Sequence, residues 1–178
     1  MITIRLATPA DAAACAEIYS PYVKNTGITF EVNPPDSAEF ATRITNTLKS
    51  FPWLVACQGQ KVVGYAYAHQ FGERAAFCYS CELSVYVDNG CKGQGVGKML
   101  YQYLLNVLKQ QGVRRVYALI AVPDEGSIAF HIRMGFEKAG TLPNIGYKLG
   151  RWWGLCYMQK NLGLTDDALP KPRKMYQI

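Results

Sequence analysis

The sequence has no internal repeat, no long apolar run and only two histidines among its 178 residues. A membrane-spanning helix needs about 20 consecutive apolar residues, and no segment approaches that length. The opening segment MITIRLATPADAAACAEIY carries Arg5, Asp11 and Glu17, so it predicts a strand entering a helix and not a signal peptide. We therefore expect a cytoplasmic protein that has no membrane partner.

The chain also lacks the cysteine spacing of a disulfide framework or a zinc site. Its six cysteines are irregularly spaced, and a chain of this length buries a core without disulfides, so we expect free thiols. Cys78 and Cys81 form a CxxC pair, but a zinc site needs further ligands, and His69 and His131 are scattered. We interpret the pair as two thiols on a strand and predict no metal.

Positive charge is present but not concentrated. The formal net charge is +6, yet the cations are spread from Arg5 to Lys174. This spread argues against a nucleic-acid groove and suits a small anionic ligand. With 49% apolar residues, the chain is long enough for one domain with a core. We predict a single domain over 1–162 and a polar, proline-broken tail over 163–178.

Hydrophobic periodicity predicts a mixed α/β architecture. Alternating or continuous apolar segments predict strands at ITIRL, WLVACQ, KVVGYAYAH, AAFCYSCELSVYV, RRVYALIAV and YKLGRWWGLCYMQKNL, with a hairpin turn at Gly59 and Gln60. Helical spacing predicts helices at DAAACAEIYSPYV, DSAEFATRITNTLK, GVGKMLYQYLLNVLKQQG and EGSIAFHIRMGF, the second capped by Asp36 or Ser37. Hairpins followed by a β-α-β unit predict a mixed sheet with helices on both faces.

A glycine cluster, KGQGVGK at residues 92 to 98, joins a predicted strand to a predicted helix. It fails the Rossmann GxGxxG pattern because its last glycine, Gly97, comes one place early. It fails the Walker pattern because Lys92 stands where that loop has glycine and Met99 follows the second lysine. A glycine turn that opens a helix still exposes backbone N–H groups to an anion such as a pyrophosphate. The alternative is a flexible turn whose lysines are only solvated.

Lys98 favours the anion site. It lies in the first turn of the predicted helix, where a cation opposes the positive end of the helix dipole by about 0.3–1 kcal/mol. A bound anion between the two positive charges would remove this conflict.

The segment from Lys92 to Gly97 resembles the acetyl-CoA signature of the GCN5-related N-acetyltransferases, the GNAT superfamily. In that signature Gln or Arg is followed by two residues, Gly, one residue, and Gly or Ala. More narrowly, the chain resembles the phosphinothricin and methionine sulfone or sulfoximine acetyltransferase branch. The matching stretches are GITFEVNPPDSAEF, VGYAYA, ERAAFCYSCELSVYV, PDEGSIAFHIRMGF and GYKLGRWW. The resemblance spans Ile2 to Leu162 and implies the GNAT fold, with a central mixed, mostly antiparallel twisted sheet, and a homodimer.

The resemblance implies that acetyl-CoA is the co-substrate. The backbone of Val85, Tyr86 and Val87 would bind the pantetheine amides and the oxyanion. Asp124 stands where a side chain contacts the pantetheine arm, and Ser127 would lie near the thiol. The turn would bind the pyrophosphate through Lys92, Gly93, Gln94, Gly95, Val96, Gly97 and Lys98. Three residues depart from the branch pattern, among them Ile132, which stands where Glu is common. Lys92 replaces Arg or Gln and loses a bidentate fork, and Asp124 replaces Asn and cannot donate a hydrogen bond.

Glu82 is the predicted catalytic residue. Alternation in CELSVYV places Glu82 with Ser84 and Tyr86 on one face of the strand. On the residues alone, a solvated strand glutamate is the better explanation. The resemblance implies a base that acts through water, or an anchor for the acceptor's ammonium group. The acid that protonates the thiolate stays unassigned, because His131 is better explained as a packed or solvated helix residue and Phe130 stands near where many relatives have tyrosine.

The branch implies a small amino-acid-like acceptor, such as phosphinothricin, methionine sulfoximine or methionine sulfone. The predicted substrate-binding residues are Phe30, Glu31, Arg74, Ala75, Ala76, Phe77 and Glu82. Among them, Arg74 is the candidate partner of the acceptor carboxylate.

Several alternatives remain open at this stage. The acceptor amine could belong to a peptide, a protein or a polyamine. The chain could bind CoA without turnover, or use Cys81 or Cys91 as a covalent relay. A nucleic-acid binder is suggested only by the net charge.

Overall fold

The computed structural model describes residues 1–163 and Pro172, so most of the predicted tail lies outside the described residues. The strands of the described chain are β1 (Ile2–Leu6), β2 (Trp53–Gln58), β3 (Lys61–Gln70), β4 (Ser80–Val87), β5 (Arg115–Val122), β6 (Glu137–Lys148) and β7 (Arg151–Asn161). They form one seven-stranded sheet in the order β1-β2-β3-β4-β5-β7-β6. Neighbouring strands are antiparallel except β4 and β5, which are parallel. The predicted mixed, mostly antiparallel sheet is confirmed.

Four α-helices cover the sheet in this part of the chain: α1 (Ala12–Asn25), α2 (Ser37–Thr47), α3 (Val96–Gln111) and α4 (Glu125–Arg133). Helices α1 and α2 pack on one face and α3 packs on the other. Alternation along β2 serves both faces, because Trp53 and Val55 point into the α1–α2 core whereas Leu54 and Ala56 point into the α3 core. The prediction of helices on both faces is confirmed. Among the described helices, none is long and apolar enough to cross a bilayer.

Asp36, and not Ser37, caps helix α2. Its backbone is extended, and its side chain accepts the Glu39 backbone N–H at 2.8 Å. The cap satisfies a donor that the start of a helix leaves unpaired. Phe40 and Ile44, one turn apart, are buried against the sheet. The burial of Phe40 and Ile44 fixes α2 on the sheet, and α2 in turn holds the C-terminal end of the loop 26–36. This loop reaches the candidate site.

The prediction of a strand over AAFCYSCELSVYV is wrong for its first five residues, 75–79. Ala75–Phe77 form a 3-10 turn that begins after Arg74, and β4 starts only at Ser80. The ring of Phe77 packs edge-on against Phe71, with centroids 5.7 Å apart. The two rings belong to the same loop, and an alternating apolar pattern cannot reveal their contact.

The last hairpin, β6 with β7, is longer than predicted. The sequence pattern predicts strand only from Tyr147 onward, whereas β6 begins at Glu137. Pro143 interrupts the apolar pattern, Asn144 has a positive φ of 50°, and the strand register shifts between Leu142 and Gly146. Most side chains of β6 are exposed, so the strand carries no apolar period to detect.

Strands β4 and β5 part half-way along their length. They pair only over Ser80–Leu83 and Arg115–Ala118. Beyond this point β4 continues to Val87 and β5 to Val122, and each pairs only with its other neighbour. The diverging ends leave a cleft bordered by backbone groups that an unbroken sheet would pair.

Candidate active site

The cleft between β4 and β5 brings together residues that are distant in the sequence. It is lined by β4, β5, α3, the start of α4 and the loop after α1, through Ile28, Leu83, Ser84, Val85, Tyr86, Tyr101, Ala118, Leu119, Ile120, Ala121, Asp124, Ser127 and His131. Four predicted cofactor-binding residues, Val85, Tyr86, Asp124 and Ser127, therefore share one cavity.

Two valines of β4 turn their backbone groups toward this cleft. In an antiparallel pair, alternate residues direct their backbone N–H and C=O groups toward the partner strand and away from it. The Asp88 N–H donates to the Val63 carbonyl of β3 at 2.9 Å, so the backbone groups of Val87 and Val85 point away from β3 and toward the cleft. The hydroxyl of Tyr22 on α1 donates to the Val87 carbonyl at 2.6 Å. Tyr22 therefore caps the outer end of this edge, while the Val85 groups face the cleft. The sequence analysis missed Tyr22, because nothing in the local pattern of α1 marks it.

The glycine turn lies at the end of β4. Gly93 and Gly95 have φ angles of +76° and +82°, which glycine adopts without strain. A Cβ at either position would meet no atom within 4 Å, so both glycines face open space. Gly97 differs, because a Cβ there would lie 3.7 Å from Val87 and 3.9 Å from Phe130. The turn thus joins an open helix N-terminus to the side of the cleft.

The other residues of the turn have defined surroundings. Lys92 Nζ lies 4.5 Å from the centroid of the Tyr22 ring, and the Gln94 side chain donates to the Gly90 carbonyl at 3.0 Å. The cation–π contact keeps the Lys92 charge over the turn, so solvation alone does not describe this lysine. The Val96 side chain is buried in the α3 core, which leaves only its backbone N–H for a ligand.

Asp124 caps helix α4. Its Oδ1 accepts the Ser127 backbone N–H at 2.9 Å. The cap satisfies an unpaired donor, and the helix dipole favours a carboxylate at this end. These contacts account for an acid at a position where the resembled branch has Asn.

Tyr101 and His131 form a buried pair in the cleft wall. The Tyr101 hydroxyl lies 2.9 Å from His131 Nε2, and His131 Nδ1 lies 2.8 Å from the Ser127 carbonyl. A carbonyl only accepts, so Nδ1 carries the proton and Nε2 accepts from Tyr101. Burial lowers the pKa of His131 below its ordinary value. The interpretation of His131 as a packed residue is confirmed, and the same side chain also lines the cleft.

Glu82 lies two residues before the strands part. It faces His69 of β3 and Tyr117 of β5 in register, and its Oε1 is 3.5 Å from His69 Nε2. Burial opposes a charged imidazole, but Glu82 and the Gln70 carbonyl together raise the pKa of His69 above its ordinary value. The sequence analysis missed His69 as a site residue. Alternation in KVVGYAYAH, which places it on one face with Tyr67, was the available signal.

An aromatic group flanks Glu82 on the β5 side. The Tyr117 ring lies 4.4 Å from Phe71, which in turn contacts Phe77, centroid to centroid. Phe77 of the predicted substrate-binding segment is thus connected through Phe71 to Tyr117, the β5 residue opposite Glu82. Arg74 is exposed, as are Ala75 and Ala76.

The remaining predicted substrate-binding residues, Phe30 and Glu31, lie in the loop 26–36. Glu31 accepts from Arg43 of α2 at 2.7 and 3.1 Å and from the Tyr19 hydroxyl at 3.1 Å. Phe30 packs against Gly146, where a Cβ would lie 2.8 Å from its ring. In this structure Glu31 holds the loop in place.

Buried Lys148 adds a further tie to this loop. Its Nζ donates to the Thr29 carbonyl at 2.7 Å, and desolvation lowers the pKa of Lys148 below its ordinary value. The loop that carries Ile28 into the cleft is therefore held from both α2 and β6.

All six cysteines are free thiols, as predicted. The Cys81 side chain is buried in the α3 core, on the face opposite Glu82, and burial raises the pKa of its thiol. A covalent relay through Cys81 does not fit this position. Within residues 1–163, no three His, Cys, Asp or Glu side chains are grouped so that they could bind a metal ion.

Comparison with known proteins identifies the family. The acetyltransferase (GNAT) domain family matches residues 4–155. The chain belongs to the GNAT acetyltransferase family. This GNAT chain is 34% identical to a phosphinothricin N-acetyltransferase of Streptomyces viridochromogenes, over 99% of this chain and 96% of that one. It is 35% identical to an L-methionine sulfoximine/L-methionine sulfone acetyltransferase of Pseudomonas aeruginosa, over 93% and 98% of the two chains.

A solved GNAT structure gives the same result. The phosphinothricin acetyltransferase of Sinorhizobium meliloti in complex with acetyl-CoA matches with a TM-score of 0.88 and 36% identity, over 91% of this chain and 89% of that one. The predicted GNAT fold, the resemblance to this branch and the prediction of an acetyl-CoA-dependent N-acyltransferase are confirmed.

Proposed function

We propose that this chain transfers the acetyl group of acetyl-CoA directly to the amine of a small amino acid or analogue in a ternary complex. The acceptor has an anionic or strongly polar head, as in phosphinothricin, methionine sulfoximine and methionine sulfone. The observation that carries the proposal is the parting of β4 from β5 just beyond Glu82, with the glycine turn at the end of the same strand. Relatives that match nearly the whole chain are named for such acceptors.

The residues around the glycine turn fit the acidic part of acetyl-CoA. The backbone N–H groups from Lys92 to Gly97 lead into the N-terminus of α3, and the open space at Gly93 and Gly95 admits a pyrophosphate. Lys92 and Lys98 add positive charge, and the net charge of +6 has the matching sign. Acetyl-CoA supplies a thioester whose thiol, with a reference pKa of about 8.5, leaves readily.

The cleft edge of β4 fits the pantetheine arm. Val85 presents a backbone N–H and C=O to the cleft, so an extended amide chain adds to β4 as a further strand. An N–H of this edge also stabilises the oxyanion as it develops. At Val87 the Tyr22 hydroxyl competes for the carbonyl, and Asp124 and Ser127 border the inner part of the cleft.

Glu82 acts as the base, or anchors the acceptor ammonium. An amine attacks only when neutral, and at about pH 7.5 removing its proton costs less than about 1 kcal/mol for a peptide α-amine and about 4 kcal/mol for a lysine side chain. A free amino acid lies between the two, because its own carboxylate holds the proton longer. A weak base is therefore sufficient. A partly exposed carboxylate just before the strands part suits both roles.

The acceptor would lie between the loop 71–79 and the loop 26–36. The exposed guanidinium of Arg74 pairs with its carboxylate, and Phe77 and Tyr117 provide an apolar wall beside Glu82. Phe30 completes the opposite side, with Glu31 holding the loop.

We further propose a cytoplasmic homodimer. Strand β6 is an edge of the sheet, and large apolar side chains are exposed along the last hairpin and the loop 26–36, namely Phe30, Val32, Leu142, Ile145, Tyr147, Leu149 and Trp152. An exposed apolar edge strand suits pairing with a second copy. Free thiols at all six cysteines suit a reducing compartment.

One assay tests the proposed reaction. A panel of amino acids and analogues is incubated with acetyl-CoA, and free thiol and N-acetylated product are both measured. Acetylated product with small polar amino acids supports the proposal. Product only with a peptide or polyamine would show that the acceptor belongs to that other class. CoA binding without any product would make the chain a binding module. Sedimentation of the purified protein tests the dimer.

A further inference from the structure

His69 lies beside Glu82 and is the more exposed of the two side chains. The two residues face each other across β3 and β4, with His69 Nε2 3.5 Å from Glu82 Oε1. The side chain of His69 is 42% exposed, against 21% for Glu82. The more buried group is thus the carboxylate, and the imidazole has access to solvent.

The hydrogen bond on the other ring nitrogen sets which atom titrates. His69 Nδ1 lies 3.1 Å from the Gln70 backbone carbonyl. Because a carbonyl only accepts, Nδ1 keeps its proton in the neutral ring, and Nε2 gains or loses the second one. Nε2 is the atom that faces Glu82.

The charges around His69 favour a proton at this position. From β4 the titratable group that faces it is Glu82, and on its own strand it is Tyr67, with ring centroids 6.0 Å apart. Strand β2 presents Trp53, which does not titrate, opposite Tyr67. Burial opposes the charged imidazole, but Glu82 and the Gln70 carbonyl together raise the pKa of His69 above the ordinary value of 6.5. Proton uptake by Nε2 is therefore accessible near neutral pH.

We propose that His69 is a proton-relay residue that carries the proton from Glu82 to solvent in each turnover. The inference rests on the proposed function. The acceptor ammonium gives one proton to the Glu82 carboxylate, and Glu82 passes it to His69 Nε2. The imidazolium then releases a proton to water and returns to neutral. The second amine proton goes to the departing thiolate, so one ammonium and one thioester yield one amide, one thiol and one solvent proton.

The test compares His69→Ala and His69→Gln with the wild type, using one acceptor throughout so that its own titration cancels. We expect kcat near pH 7 to fall about tenfold, with little change in the Kd of acetyl-CoA. Only a neutral imidazole accepts a proton, so the rise of wild-type kcat with pH should include a step that both variants lack. Added imidazole should restore kcat in His69→Ala, where the lost side chain leaves room, and should leave Glu82→Gln and the wild type unchanged.

The outcomes separate the relay from the reaction itself. If the wild type acetylates no acceptor, the proposed function fails. If the wild type is active and His69→Gln matches it across the pH range, the relay is wrong. A loss in His69→Ala that imidazole does not restore, and that is the same at every pH, would show a packing role and also overturn the relay. His69→Gln keeps a polar side chain of similar reach, so it serves where the alanine variant does not fold.

Discussion

The hydroxyl of Tyr101 on α3 donates a hydrogen bond to Nε2 of His131 on α4 across 2.9 Å. Both residues are buried, and the second ring nitrogen of His131 donates to the Ser127 carbonyl. The neutral imidazole is therefore satisfied at both nitrogens, and it ties the two helices together at the wall of the cleft.

Replacing Tyr101 with Phe removes the partner of a buried ring nitrogen. An unsatisfied buried acceptor costs about 1–3 kcal/mol, so we expect Tyr101→Phe to lower the free energy of unfolding by that amount. Urea denaturation measures it. The matched control is Tyr103→Phe on the same helix, whose side chain is exposed and whose change should stay within about 0.5 kcal/mol. Equal stability of the two variants would contradict the role of the pair.

The buried His131 should also make stability depend on pH. Its pKa is lowered in the folded protein, so the unfolded chain binds more protons once the pH falls below about 6.5. The free energy of unfolding should therefore decrease from about pH 6.5 downward, until the folded pKa is passed. His69 contributes with the opposite sign, because its folded pKa is raised and its contribution is lost as pH rises. Urea denaturation of His69→Gln between pH 5 and 7 measures the contribution of His131 without that of His69. Adding His131→Gln to this variant should reduce the dependence of the free energy of unfolding on pH.

Features of the fold set by neighbouring residues could be predicted from the sequence. The cap at Asp36, the hairpin at Gly59 and the helix after Gly95 depend on local backbone chemistry, and alternation placed Glu82 on the correct face. The turn at Ala75–Phe77 could not be predicted, because the alternating apolar pattern does not show that Phe77 packs against Phe71.

The site contacts that the sequence analysis missed are all tertiary. Tyr22 and Val87 are 65 positions apart in the chain, and Tyr101 and His131 are 30 apart. Their partners become visible only when the sheet register and the helix packing are known. The resemblance to a family supplied the role of this region. From the residues alone, a solvated turn was an equally good explanation of the glycine cluster, and a solvated side chain was the better explanation of Glu82.

Gly97→Ala should change stability and ligand affinity in opposite directions. Alanine is favoured over glycine within a helix by about 0.5–1 kcal/mol, and a Cβ here makes only ordinary contacts, 3.7 Å or more from its neighbours. The same Cβ would intrude where the proposed pyrophosphate and the cleft meet. We expect a higher Tm and an approximately tenfold weaker acetyl-CoA affinity, by thermal unfolding and calorimetry. Gly140→Ala on β6, where a Cβ meets nothing within 4 Å, is the control and should bind normally.

Glu82→Gln should impair turnover and spare cofactor binding. The amide keeps the shape of the carboxylate but neither accepts the proton nor holds an ammonium charge, so kcat should fall about 100-fold or more. Its position on the face opposite the α3 core predicts an unchanged Kd for acetyl-CoA. Glu137→Gln on β6, an exposed carboxylate paired with Gln159, is the matched control. Turnover that stays at the wild-type level from about pH 7 to 9 would remove Glu82 from the mechanism.

Arg74→Ala should raise the KM of the acceptor and leave kcat within about twofold. Arg74 is exposed at the start of the turn beside the aromatic group, so a carboxylate there can pair with its planar fork. Arg74→Lys should recover part of the loss, because lysine keeps the charge but not the bidentate geometry. Lys49→Ala, which removes an exposed cation after α2, is the control for net charge. An acceptor analogue without its carboxylate should show no difference between Arg74→Ala and the wild type, whereas a fall in kcat alone would assign Arg74 to another task.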